Sequence, residues 1–157
     1  MIKYVETKVV FREVPDEITL CINISNCPCH CKGCHSPYLA EDIGTVLDES
    51  KLNRLIQSNN GITCIGFMGG DNDPLLINSF AEYIKIYYEG LKVAWYSGKQ
   101  ELSKSIDLRY FDFIKLGPYK EECGPLTSKT TNQRFYKVIN NKLINITKKF
   151  WKHETKN

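Results

Sequence analysis

The chain has 157 residues, of which 42% are hydrophobic and 25% charged, with a net charge of +3. That is one domain's length at ordinary globular composition, and it excludes a disordered, collagen-like or coiled-coil chain. The apolar runs, such as Cys64–Met68, are too short to span a membrane, the first residues lack the apolar stretch of a signal peptide, and the charge is too small to argue for nucleic acid. A single cytoplasmic domain over 1–157 is expected.

Ile18–Ile24 is rich in β-branched residues and reads as a first strand, running directly into a cysteine-rich loop that Ser36-Pro37 closes. Glu41–Thr45 reads as turn. Leu52, Leu55 and Ile56 recur at helical spacing behind Asp48, a suitable N-cap, and Asn59-Asn60-Gly61 ends that helix. Ile62–Met68 is a strand buried on both faces by composition, followed by the loop Gly69-Gly70-Asp71-Asn72. Asp73 caps a helix with Pro74 at its first position, striped by Leu76, Phe80, Tyr83, Ile84 and Tyr87 and stopped by Gly90. Leu91–Tyr96 is a third strand ending in Ser97-Gly98, a short helix is expected over Lys99–Ile106, and Tyr110–Leu116 is a fourth strand broken by Gly117-Pro118. Gln133–Ile139 and Lys142–Thr147 flank Asn140-Asn141, which reads as a hairpin.

Strands alternating with helices imply right-handed crossovers and a mostly parallel sheet. A closed (β/α)8 barrel needs about 250 residues. The expected fold is therefore α/β: a partial, open TIM-like β/α barrel with parallel strands and a C-terminal hairpin, or a small open sheet. In either case the loops at the strands' carboxyl ends carry the chemistry. The cysteine loop, Gly69-Gly70-Asp71, Ser97-Gly98 and Gly117-Pro118 should meet on one rim.

Charge is uneven along the chain. Six lysines (137, 142, 148, 149, 152 and 156) and the single acid Glu154 leave +5 on Lys137–Asn157 and −2 on the rest. This end is either a solvated tail or a docking surface for an acidic partner or nucleic acid.

Seven cysteines stand at 21, 27, 29, 31, 34, 64 and 123. An odd number without a signal peptide argues for metal or redox chemistry rather than a disulfide framework. Cys21 and Cys64 lie inside strands and read as small buried hydrophobes. Four cysteines within eight residues of a polar loop need another account. A structural zinc site would want a second, separated pair, and Cys123 is alone. Cys31-Lys32-Gly33-Cys34 has the spacing of a dithiol redox site, which leaves Cys27 unexplained. An iron–sulfur cluster on Cys27, Cys31 and Cys34 would use three thiolates and leave one iron open for a substrate or cofactor.

Cys27-x3-Cys31-x2-Cys34 after the first strand, with Gly69-Gly70-Asp71 after the next, resembles the radical S-adenosylmethionine (SAM) enzymes. It is most similar to the activating proteins of the anaerobic ribonucleotide reductase, which share the short length, the Gly33-Cys34 ending and a Ser/Thr-Asn-Gln element, here Thr131-Asn132-Gln133. The resemblance covers residues from about 20 to 136. Three departures stand out: Cys29 is an extra thiol inside the motif, Asn72-Asp73 intervene between Asp71 and Pro74, and the segment Arg12–Glu17 lacks the Gly-rich look common before the first strand.

The resemblance implies a [4Fe–4S] cluster on Cys27, Cys31 and Cys34, SAM bound at the open iron, and reductive cleavage of SAM to a 5′-deoxyadenosyl radical. That radical takes a hydrogen atom from a glycine of the reductase catalytic subunit. Around the cofactor the resemblance implies roles for Gly33 in a close approach and for His35 near the adenine. Gly69, Gly70 and Asp71 would receive the methionine ammonium, and Ser97 would bond a ribose hydroxyl or cap the next helix. The roles of Asn132 and Gln133 stay open, and Cys29 is expected to be a bystander. The electron donor would be a low-potential protein such as reduced flavodoxin, with neither membrane nor nucleic acid as partner.

Overall fold

The computed structural model describes residues 1–34 and 36–151; His35, and Lys152, Glu154 and Lys156 of the Lys-rich end, lie outside them. Eight strands form one mixed sheet: β1 (Ile2–Val10), β2 (Thr19–Ile24), β3 (Thr45–Leu47), β4 (Cys64–Met68), β5 (Lys92–Tyr96), β6 (Phe113–Leu116), β7 (Arg134–Ile139) and β8 (Lys142–Asn145). Their order across the sheet is β3-β1-β2-β4-β5-β6-β7-β8, so β3 and β8 are its two edges and the sheet is open.

The expected alternation produces the centre: β2, β4, β5 and β6 are parallel neighbours in chain order. The flanks correct the expectation of a mostly parallel sheet, because β1, β3, β7 and β8 all add antiparallel. Neither β1 nor β3 is visible in the sequence pattern. Ile2 is the one fully buried residue of β1, so burial leaves little of the hydrophobic alternation that marks a strand, and β3 is only three residues long.

Helix α1 (Glu49–Gln57) starts at Asp48, whose carboxylate accepts from Lys51 N at 2.8 Å. Helix α2 (Pro74–Tyr87) starts at Asp73, which accepts from Leu76 N at 3.3 Å. The capping role of Asp73 accounts for the two residues between Asp71 and Pro74. α2 buries Ile77, Phe80, Ala81 and Ile84, whereas Tyr87 is exposed and its ring packs tilted against that of Tyr83. The helix expected over Lys99–Ile106 does not form: the segment turns, and a single 3-10 turn follows at Leu108–Tyr110. Ser103 closes that segment locally, its Oγ accepting from Ser105 N and its carbonyl from Ile106 N, in competition with a helix. The hairpin forms as expected, with Asn140 and Asn141 both left-handed (φ 50° and 61°), the primed turn that suits the strands' twist.

Both helices pack on one face of the sheet, over Ile65, Phe67, Val93, Trp95, Ile114 and Leu116. The alternate residues of the same strands, Cys64, Ala94 and Phe113, join Val14 and Phe135 on the other face. With a side-chain period of two, Met68, Tyr96 and Lys115 also point to that second face, at the carboxyl ends of β4, β5 and β6. No helix among the described residues is long and apolar enough to cross a membrane.

Candidate functional site

The cysteine loop is anchored where β2 ends. Buried Ser25 donates its hydroxyl to Ile43 O at 2.5 Å, Asn26 N donates to Glu41 O, and Cys27 N to Leu39 O. The returning 39–43 segment thereby clamps the loop's start. Asn26 and His30 are left-handed, as is Gly33 (φ +75°), and Cys34 N closes a turn onto Cys31 O. These reversals bring Cys27, Cys29, Cys31 and Cys34 to one cavity of about 380 Å³, whose wall also includes Met68, Gly69, Asp71, Tyr96, Gly98, Lys115 and Gln133. The loops after β2, β4 and β5 thus meet on one rim, with Lys115 reaching it from β6. A second cavity of about 600 Å³ shares Cys34, Met68, Tyr96, Lys115 and Gln133 with the first.

The individual residues divide by what they touch. Asp71 ties three loops together: it accepts from Ser97 Oγ at 2.5 Å, from Gly98 N at 2.8 Å and from Cys29 Sγ at 3.8 Å. Ser97 is buried, and besides donating to Asp71 it accepts from Lys99 N at 3.1 Å; since no helix forms over Lys99–Ile106, this bond closes a local turn and the expected helix-capping role is not met. Gly69 lines the cavity with its backbone; its carbonyl accepts from the Trp95 indole at 2.7 Å, and an added Cβ would lie 3.2 Å from Ile24 O. Gly70 faces the core instead, where a Cβ would come within 2.6 Å of Ile77. Gly33 backs onto Tyr119 and Glu121 of the loop after β6. His35 lies outside the described residues.

Cys29 differs from its neighbours. Burial first, then the charges of Asp71 and Cys27, push its thiol up to about 12, which suits the proton it shares with Asp71. A Cβ at Gly98 would meet its sulfur at 2.7 Å, so the Ser97-Gly98 loop packs directly on it. Cys21 and Cys64 are buried and also pushed up to about 12, mainly by burial, as their reading as small hydrophobes implies.

Lys115 is the site residue that sequence reasoning missed. It is 8% exposed, and its ammonium donates to Ser97 O at 3.0 Å and Gly117 O at 2.9 Å, 6.0 Å from the centre of the Tyr96 ring. Burial lowers its pKa, while Asp71 and the cysteines of the loop oppose that shift. A lysine ammonium has three donors, so a third is left toward the cavity. The signal was present in Phe113-Ile114-Lys115-Leu116: a cation on a strand that is otherwise apolar, one residue before its end. Gln133, also buried, lines the same cavity, while Asn132 Nδ2 donates to Pro118 O at 2.9 Å and holds the loop after β6.

Among the described residues no group of three or more His, Cys, Asp or Glu side chains could hold a metal ion. A cubane cluster takes each thiolate on a different iron, so its ligands need to line a shared cavity rather than converge on a point. Cys27, Cys31 and Cys34 meet that requirement, and a cavity with a buried cation beside them fits an anionic group of a cofactor. No protein-family model, curated protein or solved structure significantly matches the chain.

Proposed function

We propose that the chain is a radical-SAM activase that generates a glycyl radical on an anaerobic ribonucleotide reductase. The observation that carries this reading is the shared cavity: Cys27, Cys31 and Cys34 face it together with Gly69, Asp71 and the buried Lys115, at the carboxyl ends of parallel strands. The three thiolates would hold a [4Fe–4S] cluster, which when loaded with SAM supplies one-electron cleavage of the sulfonium and, through it, removal of a glycine hydrogen.

The chain's own residues have separable tasks. Lys115 offers its remaining N–H to the methionine carboxylate. Gly69 exposes backbone to the methionine ammonium. Asp71 acts as a positioning residue, holding Ser97, Gly98 and Cys29 in one arrangement beside the ligand. The parallel strands form the wall of an open, partial β/α barrel, and the second cavity is the way in from its unclosed side. A glycine-bearing loop of the reductase would complete the wall and exclude water as it enters. The electron comes from a low-potential protein such as reduced flavodoxin, within the range of iron–sulfur potentials that extends to about −700 mV. The reading assigns the protein to the cytoplasm, with its reductase.

Anaerobic reconstitution tests this reading. About four irons and four sulfides per chain are expected, and Ser at Cys27, Cys31 or Cys34 should abolish the cluster. With reductant, SAM should yield 5′-deoxyadenosine, and added reductase should show a glycyl doublet by electron paramagnetic resonance. Stoichiometric zinc without sulfide would establish a zinc-binding module instead, and a reversible Cys31–Cys34 disulfide without iron a dithiol redox module.

A further inference from the structure

The described part of the Lys-rich end forms a pocket of its own. A cavity of about 480 Å³ lies between β7 and the 3-10 turn Thr147–Phe150, with Lys129, Arg134, Lys148, Lys149, Ile146 and Trp151 in its wall. Four of the lining residues are cationic and none is acidic.

The donors of this pocket are largely uncommitted. Lys149 meets Asp16 at 3.7 Å, but both side chains are more than half exposed, so that pair holds the lysine loosely. Arg134 spends one nitrogen on Thr131 O and Gln133 O, which orients the guanidinium and leaves the rest of its fork open among the described residues. The ammonium groups of Lys129 and Lys148 have no partner there. The indole Nε1 of Trp151 is buried, with no acceptor among the described residues. A donor withdrawn from water without an acceptor is costly, and an incoming anion removes that cost.

Position links the pocket to the cysteine cavity. Gln133 lines the cysteine cavity, and Arg134, the next residue, lines the basic pocket. Likewise Phe150 lines the second cavity while Lys148, Lys149 and Trp151 line the basic pocket. Anything held here lies along the outer side of the wall that β7 and the 147–150 turn provide.

We propose that this pocket docks an acidic segment of the protein substrate. A carboxylate of that segment takes the Trp151 N–H and the open groups of Arg134, Lys129 and Lys148, and an adjacent apolar residue lies on Trp151 and Ile146. Tryptophan and arginine beside apolar surface form the kind of centre that dominates protein interfaces. The N–H of Trp151 would serve any anion, but the apolar surface of Ile146 and of the Trp151 ring is matched only by a segment that carries an apolar residue beside its carboxylate. The proposal rests on the activase reading and names where its partner is held.

The test uses the full-length, cluster-loaded chain and the anaerobic ribonucleotide reductase subunit of the same organism as probe. Lys129→Glu/Lys148→Glu should raise the Kd for the reductase roughly tenfold or more. Trp151→Phe, which keeps an aromatic ring and loses the N–H, should raise it several-fold. Raising salt from about 0.05 to 0.3 M should weaken the wild type toward the double variant and change the variant little. Iron content, circular dichroism and reductase-independent SAM cleavage should match the wild type in all variants. Equal reductase affinity in wild type and double variant overturns the docking proposal and leaves the activase reading standing. So does tripolyphosphate that binds the wild-type pocket without displacing the reductase, which would mark a free-anion site. A wild-type chain that assembles no iron–sulfur cluster overturns the activase reading itself, and a wild-type chain that binds no reductase overturns the docking proposal.

Discussion

Lys115→Met is the perturbation that separates a structural lysine from one that recognises a ligand. Methionine keeps much of the length and volume of the side chain and removes its charge. The folded chain loses two charge-assisted hydrogen bonds, to Ser97 O and Gly117 O, and is relieved of a buried cation. These effects oppose each other, so the net loss of stability should be about 1–3 kcal/mol. A third charged bond to the methionine carboxylate contributes about 2–3 kcal/mol, which corresponds to roughly 30- to 150-fold weaker SAM binding. Equilibrium binding on anaerobic, cluster-loaded protein measures this, with 5′-methylthioadenosine as the control because it lacks the carboxylate. The variant should lose affinity for SAM and keep its affinity for methylthioadenosine. Equal losses for both ligands would show that Lys115 only shapes the cavity; no loss for either would remove it from the site.

Three further outcomes are expected from the geometry. Cys29→Ala should retain the full iron and sulfide content, since that thiol shares its proton with Asp71; loss of iron comparable to Cys31→Ser would make Cys29 a ligand. Gly70→Val should lower the melting temperature of the apo chain by a stability loss of roughly 2 kcal/mol or more, because φ is +99° and its Cβ would lie 2.6 Å from Ile77 Cδ1; unchanged stability with weakened SAM binding would move Gly70 from the core to the cofactor. Burial raises Cys21 and Cys64 from the ordinary 9.0 to about 12, so the unfolded chain releases these protons first, and stability, fully present below pH 9, should fall as pH rises toward 12. Denaturant midpoints across that range should fall less steeply in Cys21→Ala/Cys64→Ala, and equal slopes would contradict the assigned cause.

Local rules were enough for much of this molecule. Asp48 and Asp73 as caps, Asn140-Asn141 as a primed turn and the chain-order pairing of β2, β4, β5 and β6 all follow from residues close in sequence or from strand–helix alternation. So does the gathering of the cysteine loop, Gly69, Asp71 and Gly98 on one rim, because parallel strands joined by crossovers put all their following loops at the same end. The failures share a physical origin. β1 has one fully buried residue, and its pairing with β2 and β3 is a backbone matter that side-chain periodicity does not record. The segment after Ser97 has Leu102 and Ile106 at helical spacing, yet a serine hydroxyl competes for its backbone, and only packing decides between them. The resemblance implied that Asp71 and Ser97 would face a ligand and that Gly70 would make room for one, and the strand reading of Tyr110–Leu116 gave Lys115 no role of its own. Tertiary contacts bound Asp71 to Ser97, turned Gly70 toward Ile77 and aimed the ammonium of Lys115 into the cavity. Which side chains share a cavity depends on strand register and on the face each residue takes, and those are settled by contacts between residues far apart in the chain.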